Sequence, residues 1–134
     1  MQPLFEIKNR LPLDPSVLEH MRKTAVDLLH GAERAPYTQV IVLYSSKENE
    51  YGAVLRDALS KDGTEEASLL EGAAIAEDTE IQCVLCMWQD QGIDIPSMSF
   101  RRMLCDLNPK NADAVLVVMT ADGVGGIRLS ATMK

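Results

Sequence analysis

Three short apolar runs, Val40–Tyr44, Ile81–Trp88 and Ala114–Met119, constrain this chain more than any other feature of its sequence. Each is too short for a helix, and the second is apolar at almost every position. The second is of the kind buried on both faces of a sheet, and the third reads as another buried strand. Such strands are expected to form a sheet with helices packed on it. Segments with helical spacing lie between the runs, so the expected class is α/β.

The first helical segment should begin with Asp14 as N-cap and Pro15 at the first helical position. Val17, Leu18, Met21, Ala25, Leu28 and Leu29 recur at three- and four-residue steps, and Gly31 is the natural stop. A second helix is expected over about 64–76, burying Ala67, Leu69, Leu70 and Ala73. A third should open at Pro96, bury Phe100, Met103, Leu104 and Leu107, and end near Asn108-Pro109. Asp122-Gly123 and Gly125-Gly126 read as turns leading into a last strand, Ile127–Thr132, antiparallel to its predecessor because the connection is too short for a crossover. Residues 50–60 read two ways. Tyr51–Leu55 can close a hairpin with the first strand, or the whole stretch can be a helix following a βα loop. Residues 1–13, broken by Pro3 and Pro12, read as an irregular lead-in to a single domain spanning 1–134.

Bulk properties exclude several functions. The 134 residues carry a net charge of −7, which opposes binding along a nucleic-acid backbone, since that needs clustered Lys and Arg. No run reaches the roughly 18 apolar residues of a membrane span. The first ten residues, with Glu6, Lys8 and Arg10, do not read as a secretory signal. Three cysteines in apolar surroundings fit reduced thiols and a cytoplasmic protein. Cys83 and Cys86 spell C-x-x-C, but positions i and i+3 of a strand point to opposite faces, so they are expected to be core residues. His20 and His30 are ten apart on one helix, a spacing that gives no ligand pair; a solvated or structural role is expected. Ser45-Ser46 invites a flavodoxin-like reading as a phosphate- or flavin-binding loop, but the loop has no Gly and carries Glu48 and Glu50.

The order helix, two strands, helix, strand, helix, two strands resembles that of the small zinc-dependent cytidine deaminases. Ala35-Pro36-Tyr37-Thr38 is similar to the family's A-P-Y-S, and residues Pro96 to Leu104 (PSMSFRRML) are similar to its P-C-x-x-C-R-Q-x-L. The closing strands and Asp122-Gly123 resemble its final hairpin. The likeness spans roughly residues 14–133 and favours the hairpin at Tyr51–Leu55. It implies a three-layer α-β-α domain with a five-stranded mixed sheet and helices on both faces. It also implies a homo-oligomer, a tetramer by family habit.

In that family three zinc ligands come from H/C-x-E and P-C-x-x-C at two helix N-termini, and the Glu moves protons. The metal lowers the pKa of a bound water. The resemblance places Ser97 and Phe100 in the two cysteine positions, Gly63 in the first ligand position and Glu65 in that of the catalytic Glu. A register one residue later offers Thr64 and Glu66 instead. Gly63, Ser97 and Phe100 are thus vestigial ligand positions, and no zinc is expected. Glu65 is either a remnant acid/base or the third residue of a capping box opened by Asp62. Arg101 matches the family's Arg beside the thiolates; here it would take a surface or interface ion pair, or help hold an anion at the helix N-terminus. The expected function is a module without deaminase activity that binds a nucleoside-like ligand or serves as an oligomeric scaffold. A zinc-independent enzyme using Glu65 or Glu66 in the same cleft is the alternative.

Overall fold

The computed structural model describes residues 4–5, 10–11, 14–32, 37–56, 64–121 and 123–133. Helix α1, Pro15–His30, starts where its sequence says it should. The Asp14 carboxylate accepts from the amides of Ser16 and Val17, and Gly31 closes the far end. Strands β3, Gln39–Ser45, and β4, Glu50–Leu55, then form an antiparallel hairpin, so the helix alternative does not hold for residues 50–55. Helix α2, Thr64–Ile75, leads to β5, Ile81–Trp88, and a two-residue strand β6, Ile93–Asp94, folds back on β5. Helix α3, Met98–Leu107, is followed by a 3-10 turn at Pro109–Asp113. The final pair is β7, Val115–Thr120, and β8, Gly123–Arg128, with a 3-10 turn at Leu129–Thr132.

The lead-in is not wholly irregular. Strands β1, Leu4–Phe5, and β2, Arg10–Leu11, pair with β7 and β8 respectively. The expected five strands therefore become eight among the described residues, in the order β2-β8-β7-β5-β3-β4, with β1 attached to β7 and β6 to β5. The sheet is mixed: β5 and β7 run parallel through the α3 crossover, and the β3–β4, β3–β5 and β7–β8 pairs are antiparallel.

Helices cover both faces. On one, Met21, Ala25 and Leu29 of α1 pack on Val40, Val42, Leu85, Met87 and Val117. On the other, Leu69 and Leu70 of α2 and Phe100 and Leu104 of α3 pack on Ile41, Leu43, Val84, Leu116 and Val118. Alternation along β3 and β5 sends neighbouring residues to opposite cores, which is why these runs are apolar throughout. Gly52 lets α1 come close to β4, because a Cβ there would lie 2.8 Å from Leu28 Cδ1.

Four expectations need correction. The third helix begins at Met98 with Ser97 as its cap, not at Pro96. The second ends at Ile75, and Ala67 is exposed, because the buried stripe runs through Leu69, Leu70 and Ala73. The last strand lies earlier than expected: Gly123, at φ +117°, pairs with Thr120, whereas Gly125 and Gly126 sit within the strand opposite Val118 and Val117. A glycine pair that looks like a turn is here two strand positions. Finally, Leu129–Thr132 is helical rather than extended. Asp62, Gly63, the Ala35-Pro36 pair and Asp122 lie outside the described residues.

Candidate functional site

Ser97, Phe100 and Arg101 lie where β5 leaves the sheet and the start of α3 approaches that of α2. Ser97 caps α3, its hydroxyl oxygen accepting from the Phe100 amide at 3.1 Å. The same hydroxyl donates to Glu66 Oε2 at 3.1 Å, bridging to the first turn of α2. Phe100 turns inward and is fully buried in the α2/α3 core. Glu65 is exposed in the first turn of α2, so of the two glutamates considered it is Glu66, half-buried, that faces Ser97. Gly63 cannot be placed against them.

Arg101 is 8% exposed. Its Nε donates to the carbonyls of Pro96 at 3.0 Å and Ser97 at 3.4 Å, and its Nη1 to the carbonyl of Thr132 at 2.8 Å. Burial pulls its pKa below the usual guanidinium value, with Asp94 and then Cys86 acting against that shift. The guanidinium thus ties the entry of α3 to the chain's last turn. Beneath it, Cys86 is fully buried, and burial pushes its thiol pKa well above the usual range. A thiol so protonated is a poor nucleophile.

The other candidates separate cleanly. Cys83 packs in the α1 core and Cys86 in the α2/α3 core, on opposite faces of β5. His20 Nδ1 pairs with Glu50 Oε2, and His30 is exposed in the last turn of α1. The Ser45 loop is a closed hairpin turn. The Ser45 amide donates to the Asn49 carbonyl and the Glu48 amide to the Ser45 carbonyl, so neither is free to cradle a phosphate.

Sequence reasoning missed two buried polar centres at the opposite end of β5. Asp78, 2% exposed, accepts at Oδ2 from Ser45 Oγ, Asn49 Nδ2 and Tyr51 Oη at 2.7, 3.0 and 2.8 Å. Burial raises its pKa, but these hydrogen bonds and the charge of Lys47 outweigh that, and the net shift is downward. Asn111, fully buried, accepts from the Ile81 amide and donates to the carbonyls of Thr79 and Leu104. No periodicity marks either residue; only the pairing of distant segments brings their partners to them.

No protein-family model and no curated protein matches the sequence. Solved structures do match the fold. Cytidine deaminase from Mycobacterium leprae superposes with a TM-score of 0.62 at 16% identity, over 87% of this chain and 96% of that one. The enzyme from Mycobacterium tuberculosis gives 0.61 at 12% identity, over 90% and 94%. That from Burkholderia pseudomallei gives 0.60 at 14%, over 84% and 93%. At such identities the likeness speaks for architecture alone: the chain has the cytidine deaminase-like α/β fold.

Proposed function

We propose that this is a cytidine deaminase-like protein without a zinc centre and without deaminase activity, retained as a cytoplasmic binding or assembly module. The reading rests first on Phe100. At a position where the resemblance calls for a thiolate ligand, the chain puts a phenyl ring, and the ring is buried in the core. A benzene ring offers no donor to zinc. Ser97, at the other cysteine position, has its hydroxyl engaged by Glu66 and the Phe100 amide, and a hydroxyl is a poor zinc ligand beside thiolate or imidazole. The donor set does not fit the metal. Glu66 then acts as a bridge between helices rather than as a proton shuttle, because no activated water is made for it to serve.

The module binds a nucleoside-like ligand beside the starts of α2 and α3 or assembles with copies of itself, as a tetramer if the resemblance extends so far. Metal analysis of protein purified without chelators, together with cytidine absorbance, tests the first claim. Substoichiometric zinc and no loss of absorbance are expected; stoichiometric zinc with turnover overturns the proposal. A thermal-shift series with nucleosides and nucleotides tests the second. A ligand at 100 times its Kd adds about 2.7 kcal/mol of stability. No shift, combined with a monomeric mass by light scattering, would remove both the binding and the assembly roles.

A further inference from the structure

A separate concavity lies at the opposite end of the sheet and on its opposite face, beside α1. It encloses about 490 Å3 between the first turn of α1, the end of β3 and the entries of β5 and β7, a size suited to a small molecule. Val17, Leu18 and Val115 supply apolar lining. Tyr44, Asp14, Ser46, Glu48 and Gln82 supply the polar wall, and no Lys or Arg is among the described lining residues.

Asp14 and Glu48 are both exposed, and among the described residues no cation pairs with either carboxylate. Asp14 uses Oδ1 to cap α1; neither its Oδ2 nor the Glu48 carboxylate enters a described hydrogen bond or ion pair. Neighbouring groups are engaged elsewhere. Lys47, in the same turn as Glu48, donates to the Glu77 carbonyl at 2.7 Å. Glu50 is taken up by His20 and Thr24. Burial, then the charges of Glu48, Asp14 and Glu50, push the Tyr44 pKa up. A chain with net charge −7 adds to the pull on cations.

We infer that this concavity binds an organic cation, an ammonium or guanidinium on a small apolar body. The charge sits between Asp14 and Glu48 beside the Tyr44 ring, a geometry open to cation–π attraction, and the body lies on Val17, Leu18 and Val115. A metal ion suits the place less well. Among the described residues no three His, Cys, Asp or Glu side chains are grouped to hold one, and the apolar lining would go unused.

Calorimetric titration of the full chain with benzylammonium, and with neutral benzyl alcohol as its counterpart, tests the inference. Saturable binding of the cation is expected, weakening as salt is raised, with the alcohol at least about tenfold weaker. Asp14→Asn removes the charge but keeps a good N-cap. Glu48→Asn removes the other at a residue with φ +65°, a conformation Asn adopts readily. Both variants should therefore melt no more than slightly below the parent, and each should weaken benzylammonium about tenfold. Absence of saturable binding, equal affinity for the alcohol, or unchanged affinity in both folded variants would each overturn the inference.

Discussion

At the end of β5 where Ile81 enters the sheet, an amide and one oxygen of a carboxylate, Asp78 Oδ2, are buried and answered by hydrogen bonds, while Asp78 Oδ1 has no partner among the described residues. At the end where Trp88 leaves it, the buried groups are a phenyl ring and a guanidinium held by backbone carbonyls. Here polar groups lock connections at the first end, and an apolar ring fills the space at the second. A buried polar group needs partners whatever its use, so Asp78 and Asn111 read as parts of the framework. Phe100 needs only a space to fill.

If that contrast is right, the largest effect should come from Phe100. Truncation to Ala deletes a fully buried ring touching α2, α3 and the sheet, and should cost about 3–5 kcal/mol. Urea denaturation measures it. A cost below about 1 kcal/mol would mean that the ring is not a packing element and that the space beneath α3 can open to a ligand.

The comparison also explains what the sequence could and could not disclose. The start and stop of α1 were legible because Asp14, Pro15 and Gly31 act locally, each on backbone groups within a few residues. The strands β3, β5 and β7 were legible because burial on both faces leaves no polar positions in the run. The short strands β1 and β2 carry no such signal; β2 pairs with the edge of β8, and β1 with the far half of β7 past its pairing with β5. Gly125-Gly126 misled because a glycine pair has turn chemistry wherever it stands, and only the register with Val117 and Val118 shows it to be extended. At the candidate site, the motif singled out Ser97 and Phe100, but not the roles they take as helix cap and core residue. The Glu66 bridge joins residues 31 apart in sequence, and nothing local announces it.

Asp78 tests the other end of β5. Replacement by Ala leaves Ser45, Asn49 and Tyr51 without their shared acceptor and should cost about 3 kcal/mol, the range of hydrogen bonds to a charged group. Asp78→Asn keeps an acceptor and should cost less. The depressed pKa fixes the pH dependence. Stability from this carboxylate is fully present above the unfolded value of about 3.9 and is lost as pH falls through the lower folded value. Denaturation midpoints measured from neutral pH downward should therefore fall in acid for the parent, and the part of that fall due to Asp78 should vanish in Asp78→Asn. An acid limb unchanged by the substitution would show that the cluster is not ionised in the folded chain.

The smallest effect sharpens the comparison at the other end. Ser97→Ala removes the α3 cap and should cost about 1 kcal/mol. That figure combines two bonds, one to the Phe100 amide and one to Glu66, and a cycle separates them. Glu66→Gln leaves the cap intact and removes only the charge on the bridging hydrogen bond, a change of at most about 1 kcal/mol. Ser97→Asp is the discriminating partner, since Asp caps a helix as well as Ser does but sets a second carboxylate against Glu66. If the two helix starts are held as close as the 3.1 Å contact requires, Ser97→Asp should be less stable than the parent at neutral pH and recover when Glu66→Gln is added. Equal stability with and without Glu66→Gln would mean that the helix starts are not coupled, leaving room between them that a nucleoside-like ligand could use.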